Sequence, residues 1–190
     1  MIKRWIFAAL GAGALVLSVA APLPAGASTP TSPKSLAKDL VPPSVAKKAG
    51  FTKMLGKVTT SSKTGAPSCP NGAQVVYEDA AGKTGVVAEV LGCTTTKAAA
   101  ALVRRVRTGT KAISAVPPKR LGPSALERGS GFTYALYWQR GARVELVALN
   151  TNVPASTSSS TAPTGTPPPI TKAQQRTLST VALAQNARIP

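Results

Sequence analysis

The stretch from Cys69 to Cys93 constrains this chain more than any other. It has the only two cysteines at its outer ends, and two β-rich runs flank Asp79-Ala80-Ala81-Gly82-Lys83 between them. That pattern is a hairpin with a clasp. In a three-residue hairpin loop the last position is left-handed and usually glycine. A loop of Ala80-Ala81-Gly82 sets Asp79 opposite Lys83, Val75 opposite Val87 and Tyr77 opposite Gly85. The same register sets Cys69 opposite Cys93. Cross-strand Cβ separations suit a disulfide, so a register chosen from the turn alone brings the two sulfurs together. Closing a loop of this length stabilises a fold by roughly 3 kcal/mol in the chain-entropy description. Asp79 and Lys83 are then an exposed turn pair of small energetic weight.

Disulfides persist in oxidising compartments, and the N-terminus points the same way. Lys3 and Arg4 are a charged start, Trp5 to Ala20 is apolar, and Ala25-Gly26-Ala27 is a small-residue cleavage pattern. Residues 1–27 therefore read as a secretory signal. The apolar run is short for a spanning helix, and Pro22 and Pro24 follow it. The charged start has no twin-Arg pair, and no cysteine lies beside the cleavage pattern to take a lipid. The expected destination is the cell envelope or the exterior. Of 190 residues, the 27 of the signal leave 163, a length for one domain. Residues 28–67 read as an N-terminal helical and extended segment, and 68–190 as the main domain.

Export removes Lys3 and Arg4, which leaves 21 basic against 6 acidic residues and a net charge of +15. Such a surface favours anionic partners through salt-dependent contacts, here an anionic envelope polymer or an anionic lipid surface. The candidate anion contacts are Lys47, Lys48, Lys53 and Lys57 before the hairpin, and Lys97, Arg104, Arg105 and Arg107 after it. Lys97, Arg104 and Arg105 also fit a solvated outer helix face. Phe51 is the only aromatic among these residues, so base stacking is an unsupported mode. No base-reading module is present, and sequence-specific nucleic-acid binding is not expected.

Helical runs are expected over Lys34–Leu40, with Ser35 near its cap, and over Ser44–Lys48 beyond the Pro42-Pro43 break. Phe51–Thr60 reads as a strand and Ser61–Pro67 as a loop. After the clasped hairpin, Lys97–Arg107 is strongly helical, with threonines to cap it and Gly109 to stop it. Ala99, Leu102, Val103 and Val106 recur at helical spacing and are expected to pack on the sheet. Lys111–Val116 reads as a short strand, and Leu121–Ala125 as a turn or connection. A second hairpin is expected over Gly131–Asn150, with Gln139-Arg140-Gly141 as its loop. Phe132, Tyr134, Leu136 and Trp138 then share a face with Ala142, Val144, Leu146 and Ala148, while the other face takes Thr133, Tyr137, Arg143 and Glu145. A two-residue loop would mix Arg143 and Glu145 with Trp138 and Leu136, so segregation favours the three-residue loop. Residues 150–169 are Ser-, Thr- and Pro-rich and read as a flexible loop. Thr171 caps a last helix, Lys172–Ala187, with Leu178, Val181, Ala182 and Gln185 inward. The fold class expected is α+β: an antiparallel sheet of about four to five strands, packed by the Ala-rich and C-terminal helices in two layers.

Catalytic signals are sparse. The chain has no histidine, which excludes His-activated nucleophiles and the commonest zinc ligand. Two paired cysteines leave no thiolate, and the six carboxylates are scattered. No cofactor or metal is expected. Gly82-Lys83-Thr84 lacks the first glycine of a phosphate loop. Ser35-x-x-Lys38 and Lys83-Thr84-Gly85 resemble pieces of a serine–lysine enzyme, but Ser44-x-x-Lys47 and Lys63-Thr64-Gly65 match as well, and no Ser-Asp-Asn lies between them. Gly122-Pro123-Ser124-Ala125-Leu126 lacks the second glycine of a nucleophile elbow.

The layout carries one resemblance. A signal, a short Leu/Pro-rich helix, a Cys-flanked hairpin and an Ala-rich helix come first. Leu121-Gly122-Pro123-Ser124-Ala125, the Trp138-Gln-Arg-Gly141 hairpin and the terminal Leu183-Ala-Gln-Asn-Ala-Arg-Ile189 helix follow. This order resembles the small exported sensor-like domains of actinobacteria, similar to the extracellular domain of PknH-type receptor kinases. The resemblance implies a ligand-binding domain with a groove and supplies no catalytic residue. Those domains usually carry a second disulfide, which this chain lacks. The function expected is a secreted, non-enzymatic binding domain that engages an anionic or small apolar ligand. The rival classes are an enzyme with a Ser or Lys nucleophile and an inhibitor presenting a loop.

Overall fold

In the computed structural model the described residues are 31–109, 111–114, 117–129, 133–151 and 169–188. The signal and the Ser/Thr/Pro-rich segment 152–168 lie outside them, as does Phe132.

The fold is α+β around one open antiparallel sheet. Its elements run α1 (Pro33–Leu36), a short 3-10 turn (Ala37–Asp39), α2 (Pro43–Lys48), β1 (Phe51–Met54), β2 (Thr59–Ser61), β3 (Asn71–Asp79) and β4 (Gly85–Gly92). Then come α3 (Thr96–Thr108), a 3-10 turn (Lys119–Leu121), β5 (Ser124–Arg128), β6 (Thr133–Arg140), β7 (Arg143–Asn150) and α4 (Lys172–Asn186). The strand order is β1-β3-β4-β7-β6-β5, with β2 also on β3. Seven strands replace the four to five expected, because Phe51–Thr60 splits into two and Ser124–Arg128 is a strand rather than a connection. Gly56, at φ 77, turns the chain between β1 and β2. The residues expected as a strand at 111–116 make one bridge, Ala112 to Glu127.

Helix signals survive well because their caps are local. Thr95 accepts from the Ala98 amide, and Thr171 forms a reciprocal capping box with Gln174. The first helix is shorter than expected and is capped by Ser32, not Ser35. Pro43 opens α2 as its first residue, a position where the missing amide costs nothing.

Both hairpin registers differ from expectation. In the first, Val75 pairs with Ala88 and Tyr77 with Val86, a slip of one. The Asp79 carboxylate accepts from the Lys83 and Thr84 amides, and the Asp79 amide donates to the Thr84 carbonyl. The loop therefore holds four residues, with Gly82 at φ 67. The clasp forms all the same: Cys69 and Cys93 are disulfide-bonded. Pro70 ends the regular pairing, so the Cys69 segment reaches across outside the register.

In the second hairpin Arg140 pairs with Arg143 and Trp138 with Glu145. The loop is Gly141-Ala142, with Gly141 at φ 57 in the first loop position, where a two-residue primed turn takes glycine. Glu145 therefore shares a face with Trp138 and Leu136. The segregation argument failed because neither sheet face is open to water here.

Helix-on-sheet packing, the two-layer contact expected, is made on each face. Ala73, Val75, Tyr77, Val86, Ala88, Val90, Tyr134, Leu136, Trp138, Val147 and Leu149 face α1, α2 and α4. Leu178, Val181 and Ala182 of α4 and Leu36 and Ala46 of the N-terminal helices are buried against them. On the other face α3 buries Ala99 and Val103 over Leu91, Ala125, Ala135, Tyr137, Val144, Leu146 and Ala148, beside the disulfide. The N-terminal segment is pinned where Asn71 Nδ2 donates to the Thr31 carbonyl at 3.0 Å. Gly92 leaves room for Leu36, which a Cβ there would meet at 3.1 Å.

Candidate functional site

The basic candidates fall into two separate groups. Lys47 and Lys48 end α2, Lys53 lies on β1, and Lys57 lies in the β1–β2 connection, so all four occupy the β1 edge. Lys53 Nζ donates to the Ala80 carbonyl at 3.0 Å. Lys97, Arg104, Arg105 and Arg107 lie on α3, which covers β5, β6 and β7 toward the opposite edge. The structure does not bring the two groups together.

Arg107 differs from its neighbours. Its guanidinium donates to the Ser124 carbonyl at 3.0 Å, at the exposed edge of β5. Just beyond, residues 111–113 are stitched onto β5. The Ile113 amide donates to the Leu126 carbonyl and the Arg128 amide to the Lys111 carbonyl, both at 2.9 Å. That stitching covers the end of β5 near Arg128 and leaves the Ser124 end open. A cleft of about 280 Å³ results, lined by Arg107, Ala112, Ile113, Pro117, Ser124, Ala125 and Leu126. Pro117 and Leu126 also line a small void against Leu136 and Leu178, so the apolar wall continues toward α4. Arg107 is the only ionisable side chain in the lining of the larger cleft. Sequence reading named Arg107 but missed the cleft, because the cleft needs β5 and its bridge to Ala112.

The second polar constellation lies under α4. Arg143 and Asp39 form an ion pair at 2.6 Å. Arg140 Nη1 donates to the Asn186 carbonyl at 2.6 Å, and Trp138 Nε1 to Asn186 Oδ1 at 3.2 Å. Gln185 Nε2 donates to Glu145 Oε2 at 2.5 Å and to the Glu89 carbonyl at 3.3 Å. Glu145 and Gln185 are fully buried, and the Oε1 atom of each has no hydrogen-bond partner. Burial pushes the Glu145 carboxyl up to about 8, with Asp39 adding and Gln185, Arg143 and Arg140 opposing. Burial of this kind favours the neutral acid over the carboxylate. This network fastens α4 to the sheet, and its carboxyl is sealed from solvent.

On the α3 face, Glu89 is partly buried and burial pushes its carboxyl up to about 7. The Tyr137 hydroxyl is raised too, by burial first and then by Glu127 and Glu89. Ser44 is exposed on α2, and Ser124 Oγ donates to the Gly122 carbonyl. Among the described residues, no group of three or more acidic or thiol side chains could hold a metal ion.

No model of a known protein family matches this sequence, and no curated protein does. Among solved structures, it is similar to the extracellular domain of PknH from Mycobacterium tuberculosis, at a TM-score of 0.50 and 13% identity. The match covers 84% of this chain and 98% of that one. The two share a fold. At that identity the likeness is one of architecture, and the residues of the cleft come from this chain alone.

Proposed function

We propose that this protein is a secreted, non-enzymatic, sensor-like binding domain of the bacterial cell envelope. Its ligand on this reading is a small amphiphile with an apolar body and a single anionic head. The observation that carries the reading is the β5 cleft: one guanidinium beside Ser124 at the wall of a hollow formed by Ala112, Ile113, Pro117, Ala125 and Leu126. A carboxylate or phosphate head pairs with Arg107, and the body lies against Ile113, Pro117, Ala125 and Leu126. Ligand sites are commonly mostly apolar with a few polar groups that fix orientation. The fold likeness to an extracellular domain of a receptor kinase supports the same class. The disulfide supports an oxidising compartment.

The test is calorimetric titration of the exported protein with a medium-chain fatty acid and with the alcohol of equal length. The acid is expected to bind on the order of tenfold tighter, the scale of one charge-assisted hydrogen-bonded pair. Arg107→Gln should remove that preference, and Ala125→Trp should block both. Equal affinity for acid and alcohol in wild type, or no saturable binding of either, overturns the reading.

A further inference from the structure

One lateral edge of the sheet combines charge with exposed apolar groups. β1 and β2 lie along β3, and no strand lies beyond them among the described residues. Lys47, Lys48, Lys53, Lys57 and Lys63 are all exposed along this edge and its connections. From Leu40 to Tyr77 the sequence contains no acidic residue, and the nearest carboxylates on this side are Glu78 and Asp79 of β3, opposite Lys53 and Phe51. The same edge holds the only exposed large hydrophobic side chains among the described residues, Met54 at 39% and Val58 at 41%. They flank the Leu55–Lys57 connection, which is fixed to the sheet where the Leu55 amide donates to the Val76 carbonyl at 2.9 Å.

Lysines on an edge strand can serve simply to block pairing with another chain. That role does not account for Met54 and Val58, since exposed apolar groups on an edge promote association. A soluble polyanion would use the lysines and gain nothing from the two apolar side chains. An anionic bilayer surface uses both. Headgroup phosphates draw the lysines in, and short apolar side chains settle at the boundary with the acyl chains.

We propose that the β1–β2 edge, with the lysines that end α2, docks on an anionic lipid bilayer through Met54 and Val58. This surface lies on the edge opposite β5 and does not depend on the cleft.

The test is co-sedimentation of the exported protein, free of its leader, with vesicles of phosphatidylcholine alone or with phosphatidylglycerol added. Binding is expected only where phosphatidylglycerol is present, weakening as salt rises. Met54→Ser with Val58→Ser should lower vesicle affinity on the order of tenfold, the scale of two partly inserted apolar side chains. That variant should bind inorganic polyphosphate like wild type. Lys53→Glu with Lys57→Glu should weaken both. Arg107→Gln should leave vesicle binding unchanged, which separates this surface from the amphiphile cleft. Vesicle affinity unaltered by the serine pair means the lysines act alone and overturns the proposal. So does failure to bind phosphatidylglycerol vesicles at low salt.

Discussion

The two hairpins look alike in sequence and are built differently. Each has a glycine-containing turn between apolar strands. The first is covered by the N-terminal helices and α4 on its Val75, Tyr77, Val86, Ala88 and Val90 face, and it is also fixed at its ends: Asp79 caps the turn and a disulfide closes the base. The second is fixed from its faces. Trp138, Leu136 and Val147 lie under α4, while Tyr137, Leu146 and Ala148 lie under α3. The first hairpin lies one residue from the expected register and its clasp still forms, because Cys69 lies beyond the last paired residue, Asn71. A hairpin buried on both faces carries its polar residues inside, and then alternation no longer reports register.

Glu145 offers the largest test of that contrast. Its carboxyl is ordinary in the unfolded chain and raised to about 8 in the fold. The native state therefore binds the extra proton, so stability is greatest at low pH and falls as pH rises from about 4.5 through 8. At roughly 1.4 kcal/mol per unit, the loss approaches 5 kcal/mol at most. Glu145→Gln should flatten most of this slope in urea unfolding followed from pH 5 to 9. A smaller slope of the same sign should remain from Glu89, whose carboxyl is also raised. A wild-type stability that climbs with pH over this range would show that Glu145 is ionised in the fold.

The first hairpin predicts a different response. Cys69→Ser with Cys93→Ser should lower stability by about 3 kcal/mol with little change in its pH slope. Non-reduced mass spectrometry of the exported protein should also show two hydrogens fewer than the dithiol. Free thiols there, or a loss below about 0.5 kcal/mol, would mean the base of the hairpin is held without the bond.

The turns give the smallest effects. Gly82→Ala and Gly141→Ala each place a Cβ in left-handed backbone without a close steric neighbour. Each should cost about 1 kcal/mol from backbone strain alone. An unchanged melting midpoint for Gly141→Ala would argue against the two-residue turn.

Much of the fold was legible because its signals are local. Thr95 and Thr171 marked their helices to within about a residue. The stripe Leu178, Val181, Ala182 and Gln185 is buried residue for residue. The Cys69–Cys93 bond was anticipated, though from a register that proves one residue off. What failed depends on distant partners. β5 carries a Pro-containing approach and a weak pattern, and becomes a strand only because β6 pairs with it. Glu145 reads as lying on the face opposite Trp138, whereas it pairs with Trp138 and meets Gln185, forty residues along the chain. The cleft needs Arg107, Ala112 and Leu126 placed by three different segments, so Arg107 alone of its residues reads as a binding contact in the sequence.

The central seam of the sheet joins β4 to β7, with α3, β5 and β6 strung between them in the chain. A chain growing from its N-terminus can close the first hairpin early. It cannot join its two halves until residues 143–150 arrive. Tyr134, Trp138 and Leu149 then stay uncovered until Leu178, Val181 and Ala182 arrive. A prematurely terminated product therefore displays an apolar floor that proteases and chaperones can recognise. The last helix works as a receipt of completion, since only a full-length chain hides its own interior.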